Sequence, residues 1–435
     1  MGSMFQTLQN ALKIPDLRKK LLITVGLLLI YRIGAHAPVP GLSQQVFADM
    51  VQSAGTLGQF LDTLTGGAFS NATIFAMGIT PYINASIIMN LLTVSIPYLE
   101  RLQKEGEEGR KKIQQYVRYG TVILAFVQAV ALYFGLSAAV YEVNVWSFLT
   151  VTLSFTAGTA FLMWLGEKIT DKGIGNGISL IIFSGIVSRA PQAIFNLVMI
   201  VYRPTETETG LAAISLEGIF AFIGIVAVFL AMMAAAIWVQ QGERRIPVQY
   251  AKRVVGRKMV GGQSSHLPMK VNMAGVIPII FAMSILSLPS TIVAFFFNTS
   301  TSPIVQSIMN FQSSLWYALF NGILIVFFTF FYTMVQFNPV EVANNLRKNG
   351  GFIPGIRPGK PTSDFITRIL HRITWFGGLF LALITVFPTL MGMITGVHNL
   401  WFGGTSLLIL VGVALETVKQ IESQMLMRHY KGFLS

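Results

Sequence analysis

Side chains able to do chemistry are few in this chain, and their spacing argues against catalysis. There is no cysteine, which removes thiol nucleophiles, thiolate metal sites and disulfides. The five histidines, His36, His266, His371, His398 and His429, are scattered and show none of the paired spacing of metal ligands. No nucleophile–base pair and no paired acids fall within an apolar segment, so an intramembrane enzyme finds no machinery here. The stretch Asp171-Lys172-Gly173-Ile174-Gly175-Asn176-Gly177-Ile178-Ser179 has the glycines of a phosphate-binding loop. It follows an apolar helix rather than a strand, however, and its lysine precedes the glycines. Tight-turn glycines opening a helix explain it better. Two kinds of polar residue remain. Neutral ones lie inside apolar segments: Asn84, Gln128, Ser284 and Asn321. Such residues form helix–helix hydrogen bonds worth roughly 0.6 kcal/mol each in a membrane. Basic ones lie between the segments, where they suit an acidic partner surface, ribosomal RNA or anionic lipid headgroups.

The elements that carry these residues are membrane spans. The chain is 53% hydrophobic and 11% charged, far below the roughly 25% charged residues of a soluble domain. A span needs roughly 20 apolar residues. The pattern predicts ten helices, near 21–38, 74–94, 116–138, 146–166, 177–198, 214–240, 273–297, 313–337, 370–391 and 400–421. The first begins after Arg18-Lys19-Lys20 and has no small-residue cleavage site behind it, so it reads as a retained helix rather than a signal peptide. Threading the ten back and forth puts 28 of the 31 Lys and Arg on one side. That side has a net charge of +16 and the rest a net of −3, which together make the formal +13. Lys and Arg are retained in the cytoplasm, so both termini are expected there. The overall positive charge is thus a matter of topology, and DNA is not an expected partner.

Residues 55–72 fit neither a span nor an ordinary outer loop. They are too short and polar to cross, yet too apolar for a plain connection. Either a short element dips in from the outer face, where irregular backbone survives if buried in protein, or an amphipathic helix lies on the outer surface. The two halves of the chain also echo each other. Met77-Gly78-Ile79-Thr80-Pro81 and Ala274-Gly275-Val276-Ile277-Pro278 each open the second helix of five, and an odd number of helices per half makes the repeat inverted. The expected division is 1–207 and 208–435. No Asp, Glu, His or Lys sits at mid-depth, although ion-coupled transporters keep such residues there. A secondary transporter with inverted repeats is therefore the alternative, and a path for a large or chemically varied substrate the main reading.

Two cytoplasmic connections, 240–272 and 338–369, are too long for mere connectors. In the first, alternation over 246–250 and 258–260 predicts two strands of one hairpin, with Lys252, Arg253, Arg257 and Lys258 at its tip. In the second, Gly350-Gly351-Phe352-Ile353-Pro354-Gly355-Ile356-Arg357-Pro358-Gly359-Lys360-Pro361 predicts a rigid, non-helical loop holding Arg357 outward.

Several stretches, in order, resemble the SecY/Sec61α family of protein-translocation channel subunits. They are Arg32-Ile33-Gly34, Pro38-Val39-Pro40-Gly41, Pro81-Tyr82-Ile83-Asn84-Ala85-Ser86, Gly173–Ser179, Gln263-Ser264-Ser265-His266-Leu267-Pro268, Lys270–Pro278, Gly355-Ile356-Arg357-Pro358-Gly359 and Phe402-Gly403-Gly404-Thr405-Ser406. The resemblance covers essentially residues 4–435. It implies an all-α polytopic membrane protein with two inverted five-helix halves around an hourglass pore. It implies a passive channel that passes secreted polypeptides across the bacterial plasma membrane and membrane helices sideways into lipid. The family's pore-ring positions fall on Ile79, Ile83, Ile178, Ile182, Ile280 and Ile409. Its plug falls on about 57–69, with Leu57, Phe60, Leu61 and Leu64, and with Gly66-Gly67 as hinge. A lateral gate is implied between helices 2 and 3 and helices 7 and 8, with Asn84, Gln128 and Ser284 as candidates for its polar seam. The basic loops, with Lys252, Arg253, Arg257, Lys258 and Arg357, are implied to dock the SecA motor ATPase or ribosomes. SecE, SecG, anionic lipids and an unfolded secretory polypeptide bearing a signal sequence complete the implied partners. No cofactor, metal or catalytic residue is implied.

Overall fold

The computed structural model describes residues 4–53, 62–135, 137–201, 216–250, 253–255, 258–260, 264–296, 307–308, 311, 314–395 and 404–431. Two helices, α1 (Met4–Lys13) and α2 (Pro15–Gly34), precede an outer helix α3 (Gln44–Ser53). Then come α4 (Thr80–Ser95), α5 (Pro97–Lys104), α6 (Glu107–Gly135), α7 (Val145–Lys172), α8 (Gly177–Ser188), α9 (Ala190–Val201) and α10 (Leu216–Gln241). The first long loop supplies β1 (Glu243–Tyr250), β2 (Arg253–Val255), β3 (Lys258–Val260) and β4 (Ser264–Lys270). The chain continues through α11 (Ile277–Phe296), α12 (Leu315–Gln336), α13 (Pro339–Lys348), β5 (Gly351–Phe352), α14 (Lys360–Thr395) and α15 (Gly404–Lys431).

Helices stand at all ten expected span positions, with α8 and α9 sharing the fifth. Among the described residues, seven are long and apolar enough to cross a membrane alone. An eighth is reached if α4 and α5, bent by 99° at Ile96-Pro97, count as one broken span. The bend follows from Pro97, which lacks an N–H and cannot continue the preceding helix. The first span falls short because Arg18, Lys19, Lys20 and Arg32 shorten its apolar centre. The chain is a multi-pass membrane protein.

The structure departs from the expected elements in several places. The second span begins at Thr80, not at 74, because residues 65–79 run as successive turns. The third begins nine residues early, at Glu107, because its charged first turns continue the helix beyond the apolar stretch. Strands form at both expected places in the first long loop, but they do not pair with each other. Glu243–Tyr250 pairs with Ser264–Lys270, in the register Ile246↔Leu267 and Val248↔Ser265, while 258–260 pairs with 253–255. The second long loop is largely helical: Asn338 caps α13 by accepting from the Val340 and Glu341 N–H groups, and only residues 349–359 lie outside helices.

Both long loops fold into one body. β5 adds to the free edge of β1, so the sheet order is β4-β1-β5. Ile246 and Val248 point inward on alternate positions of β1 and meet Met269, Ile353, Ile366 and Leu370 in a common core. Period-two alternation is the reason one face can be buried while Arg245, Pro247 and Gln249 stay on the other.

The internal echo is visible in the backbone. Gly78 and Gly275 both have positive φ, +57° and +65°, a region in which only glycine is unstrained. Three residues later Pro81 and Pro278 each occupy the second position of their helix, where a missing N–H costs nothing. Two halves of the sequence thus start their second long helix with the same turn.

Candidate functional site

The main core runs the length of the bundle and collects side chains from α2, α4, α7, α8, α11, α12, α14 and α15. A cavity of about 40 Å³ opens within it. Its lining includes Ile79 and Ile83 from the start of α4, Ile182 and Ile181 from α8, Ile280, Met283, Ser284 and Ser287 from α11, and Ile409 from α15. Leu64, Thr65 and Gly78 close it from the turn segment. No Asp, Glu, Lys, Arg or His is among the lining residues. The space holds about three waters at roughly 10–15 Å³ each, and its walls are mostly aliphatic, with the hydroxyl residues Tyr31, Thr65, Thr80, Ser284 and Ser287 among them.

Five of the six pore-ring isoleucines therefore meet at one place. Ile79 is the N-cap of α4, and its carbonyl accepts from the Ile83 N–H at 3.0 Å. That bond puts the two side chains one turn apart on the same side. Ile83, Ile182 and Ile409 are buried, and Ile280 is half-buried. Ile178 stands apart from the cavity. It lies one turn earlier on α8 and packs against Gly166, whose missing Cβ leaves room for it. α8 itself is opened by Asn176, whose side chain accepts from the Ser179 N–H, while Thr24 and Gln420 accept from the N–H groups of Ile174 and Gly175. The glycine stretch is thus a helix-opening turn tied to α2 and α15.

Of the plug candidates, Leu64, Gly66 and Gly67 are placed; Leu57, Phe60 and Leu61 lie outside the described residues. Leu64 reaches the isoleucine cavity from a helical turn at 62–64. Gly66 and Gly67 have φ of +64° and +93°. A Cβ on Gly66 would stand 2.8 Å from the Gly185 Cα, so no other residue fits this approach to α8. The turn is held by side chains that the sequence reading passed over. Tyr31 donates to the Thr65 carbonyl at 3.0 Å, and Arg32 to the Gly66 carbonyl at 2.8 Å. Arg189, at the end of α8, pairs with Asp62 and donates to the Ser70 hydroxyl at 3.1 Å. A signal for these was present: Arg32, Arg189 and Arg203 are the only basic residues not assigned to the cytoplasmic side.

Of the gate candidates, Asn84 and Ser284 are buried and Gln128 is half-buried. α11 packs against both α4 and α6, and also against α12. Ser284 lines the cavity; Asn84 and Gln128 do not, and no hydrogen bond joins the three among the described residues. Among the docking candidates, Arg357 is exposed on the turn before α14. Its carbonyl accepts from the Thr362 hydroxyl at 2.8 Å, and Gly355 turns the chain at φ +80°. Arg253 and Lys258 sit on the short β2–β3 ladder; Lys252 and Arg257 lie outside the described residues. Among the described residues no group of three or more His, Cys, Asp or Glu forms a metal site.

Comparison with known proteins agrees with this arrangement. The family model SecY matches residues 73–418. The protein translocase subunit SecY of Halalkalibacterium halodurans is 46% identical over 99% of this chain and 100% of its own length. That of Thermotoga maritima is 44% identical over 99% and 98%. Among solved structures, a protein-conducting channel superposes with a TM-score of 0.62 at 20% identity, over 94% of this chain and 92% of that one. Sec61 of the canine ribosome–channel complex gives 0.59 at 17% identity, with the same coverage. Matched over nearly its whole length by such relatives, the chain belongs to the SecY family.

Proposed function

We infer that the protein is the channel subunit of a protein translocase, a passive pore for unfolded polypeptides. The observation that carries this is the collar: Ile79, Ile83, Ile182, Ile280 and Ile409 converge from four helices on one uncharged cavity. Aliphatic side chains fit a passenger of any sequence and bind none. A narrow aliphatic ring also dewets and so stops ions. A secondary transporter would need acidic or basic groups on such a path, and no Asp, Glu, Lys, Arg or His lines it among the described residues.

In this reading residues 1–207 and 208–435 are the two halves, and Asn84, Gln128 and Ser284 belong to the seam that opens toward lipid. Residues 57–69, with Leu57, Phe60, Leu61 and Leu64, form the plug above the collar. Ile178 extends the ring toward the cytoplasm. SecE clamps the halves and SecG joins them. SecA or a ribosome docks on the body built by 240–272 and 338–369, through Lys252, Arg253, Arg257, Lys258 and Arg357. The protein lies in the bacterial plasma membrane with both termini in the cytoplasm, where anionic lipids meet the basic loops. The test is reconstitution with SecE in vesicles and addition of SecA, ATP and a secretory precursor. ATP-dependent protection of the precursor from protease is expected. ATP-independent uptake of a small solute in its place would favour the transporter.

A further inference from the structure

The second outer-side observation is electrostatic. Asp62 and Arg189 are half-buried partners, 127 positions apart in sequence, joining the plug turn to the end of α8. The contact is a small network. One Asp62 oxygen takes Arg189, and the other accepts from the Ser70 N–H at 2.8 Å. The same Arg189 Nη2 also donates to the Ser70 hydroxyl at 3.1 Å. Ser188, one residue earlier, donates to the Gly66 carbonyl at 3.3 Å. Asp62 and Ser70 bracket the two glycines, so a single guanidinium holds both ends of the turn that places Leu64 and Thr65 against the collar. Around and past Ser70 the chain divides between two cores: Phe69, Ala72, Ala76 and Met77 pack with α3, α6 and α7, while Ala68, Phe75 and Ile79 belong to the main core. The turn from 62 to 70 is thus held both by packing, through Leu64, Ala68 and Phe69, and by the polar contacts of Tyr31, Arg32 and Arg189.

We propose that Arg189 is the latch of the closed channel, a positioning residue that keeps the plug turn seated on the isoleucine collar through Asp62 and Ser70. The proposal rests on the channel reading above. A polar latch suits reversible opening. The pair is partly exposed, so water replaces its bonds at small cost when the turn departs, whereas a packed apolar contact leaves a cavity. Both bonds leave one guanidinium nitrogen, Nη2, and the shorter lysine side chain brings its ammonium less far.

The test is the complex with its membrane partners in planar bilayers, comparing the natural chain with Asp62→Asn, Arg189→Gln, the double variant and Arg189→Lys. Each of the first two is expected to raise resting open probability roughly fivefold, the scale of one partly exposed charge-assisted pair. The double variant is expected to leak no more than either single one, because the two residues act as a unit. Arg189→Lys is expected to fall between. The single variants should also pass precursors with defective signal sequences. The collar variant described below is the reference. If it leaks while the latch variants stay as tight as the natural chain, or if their effects add, the latch is overturned. If the collar variant does not leak either, the channel reading fails and takes the latch with it. Should both single variants fail to assemble, the pair is a folding element and the proposal is likewise overturned.

Discussion

Replacing Ile83, Ile182, Ile280 and Ile409 together by Ser tests the collar where its physics is simplest. In the structure three of these side chains are buried, with exposures of 8%, 6% and 2% for Ile83, Ile182 and Ile409. Burying an isoleucine is worth about 1.5–3 kcal/mol. An open pore still shelters part of each side chain, so the difference between states is roughly 1 kcal/mol per residue. Four substitutions then shift the closed–open balance by about 4 kcal/mol, on the order of a thousandfold. Independently, four hydroxyls would replace aliphatic wall around a space of about 40 Å³, and a constriction that wets conducts. Both effects have the same sign. Resting single-channel conductance in planar bilayers is the assay, with signal-defective precursors as a second readout. The control is Ile123→Ala with Leu230→Ala, at side chains 64% and 55% exposed on the outside of the bundle. A collar variant that conducts no more than this control would show that the isoleucines are ordinary packing, and the reasoning would be wrong.

The other expectations are quickly stated. Arg357→Glu should abolish SecA-driven translocation while the channel still assembles with SecE, as measured by co-purification and by precursor protection; normal transport would remove Arg357 from the docking surface. Deleting 57–67 should leave a folded channel with raised resting conductance, because it removes Leu64 from the collar and Asp62 from Arg189; loss of assembly would make the segment structural. A protease-sensitive tag near Glu142 should be cut from outside intact cells while tags at both termini are protected, and the reverse pattern would invert the assigned topology.

Much of the fold was legible because a membrane leaves few options. Spans need length and apolarity, and the basic loops mark one side, so all ten helix positions could be read from hydropathy and charge. Helix starts were less legible. The turns at 65–79 are as apolar as a helix, and it is the backbone, with positive φ at Gly66, Gly67, Ala72 and Gly78, that departs from helical geometry. Strand partners were missed for a related reason. Residues 264–270 include Pro268 and His266, which dilute the alternation that reveals a strand. The isoleucine collar could not be found from composition, since any lone isoleucine in a span reads as lipid contact or core. It emerged from the family resemblance, and the structure brings five of the six positions to one cavity. The Asp62–Arg189 contact was invisible because the partners are far apart in sequence, although both carry charge in stretches where charge is rare.

The most direct measurement is to map where a moving chain touches the protein. A secretory precursor is stalled midway in the reconstituted channel, and a photo-crosslinking amino acid is placed in turn at positions 83, 182, 280 and 409, and at 123 and 230. The expected result is crosslinks to the precursor from the four collar positions, only in the presence of SecA and ATP, and none from the two lipid-facing ones. Crosslinks from positions 123 and 230 with a silent collar would contradict the claim that polypeptides cross through the isoleucine ring.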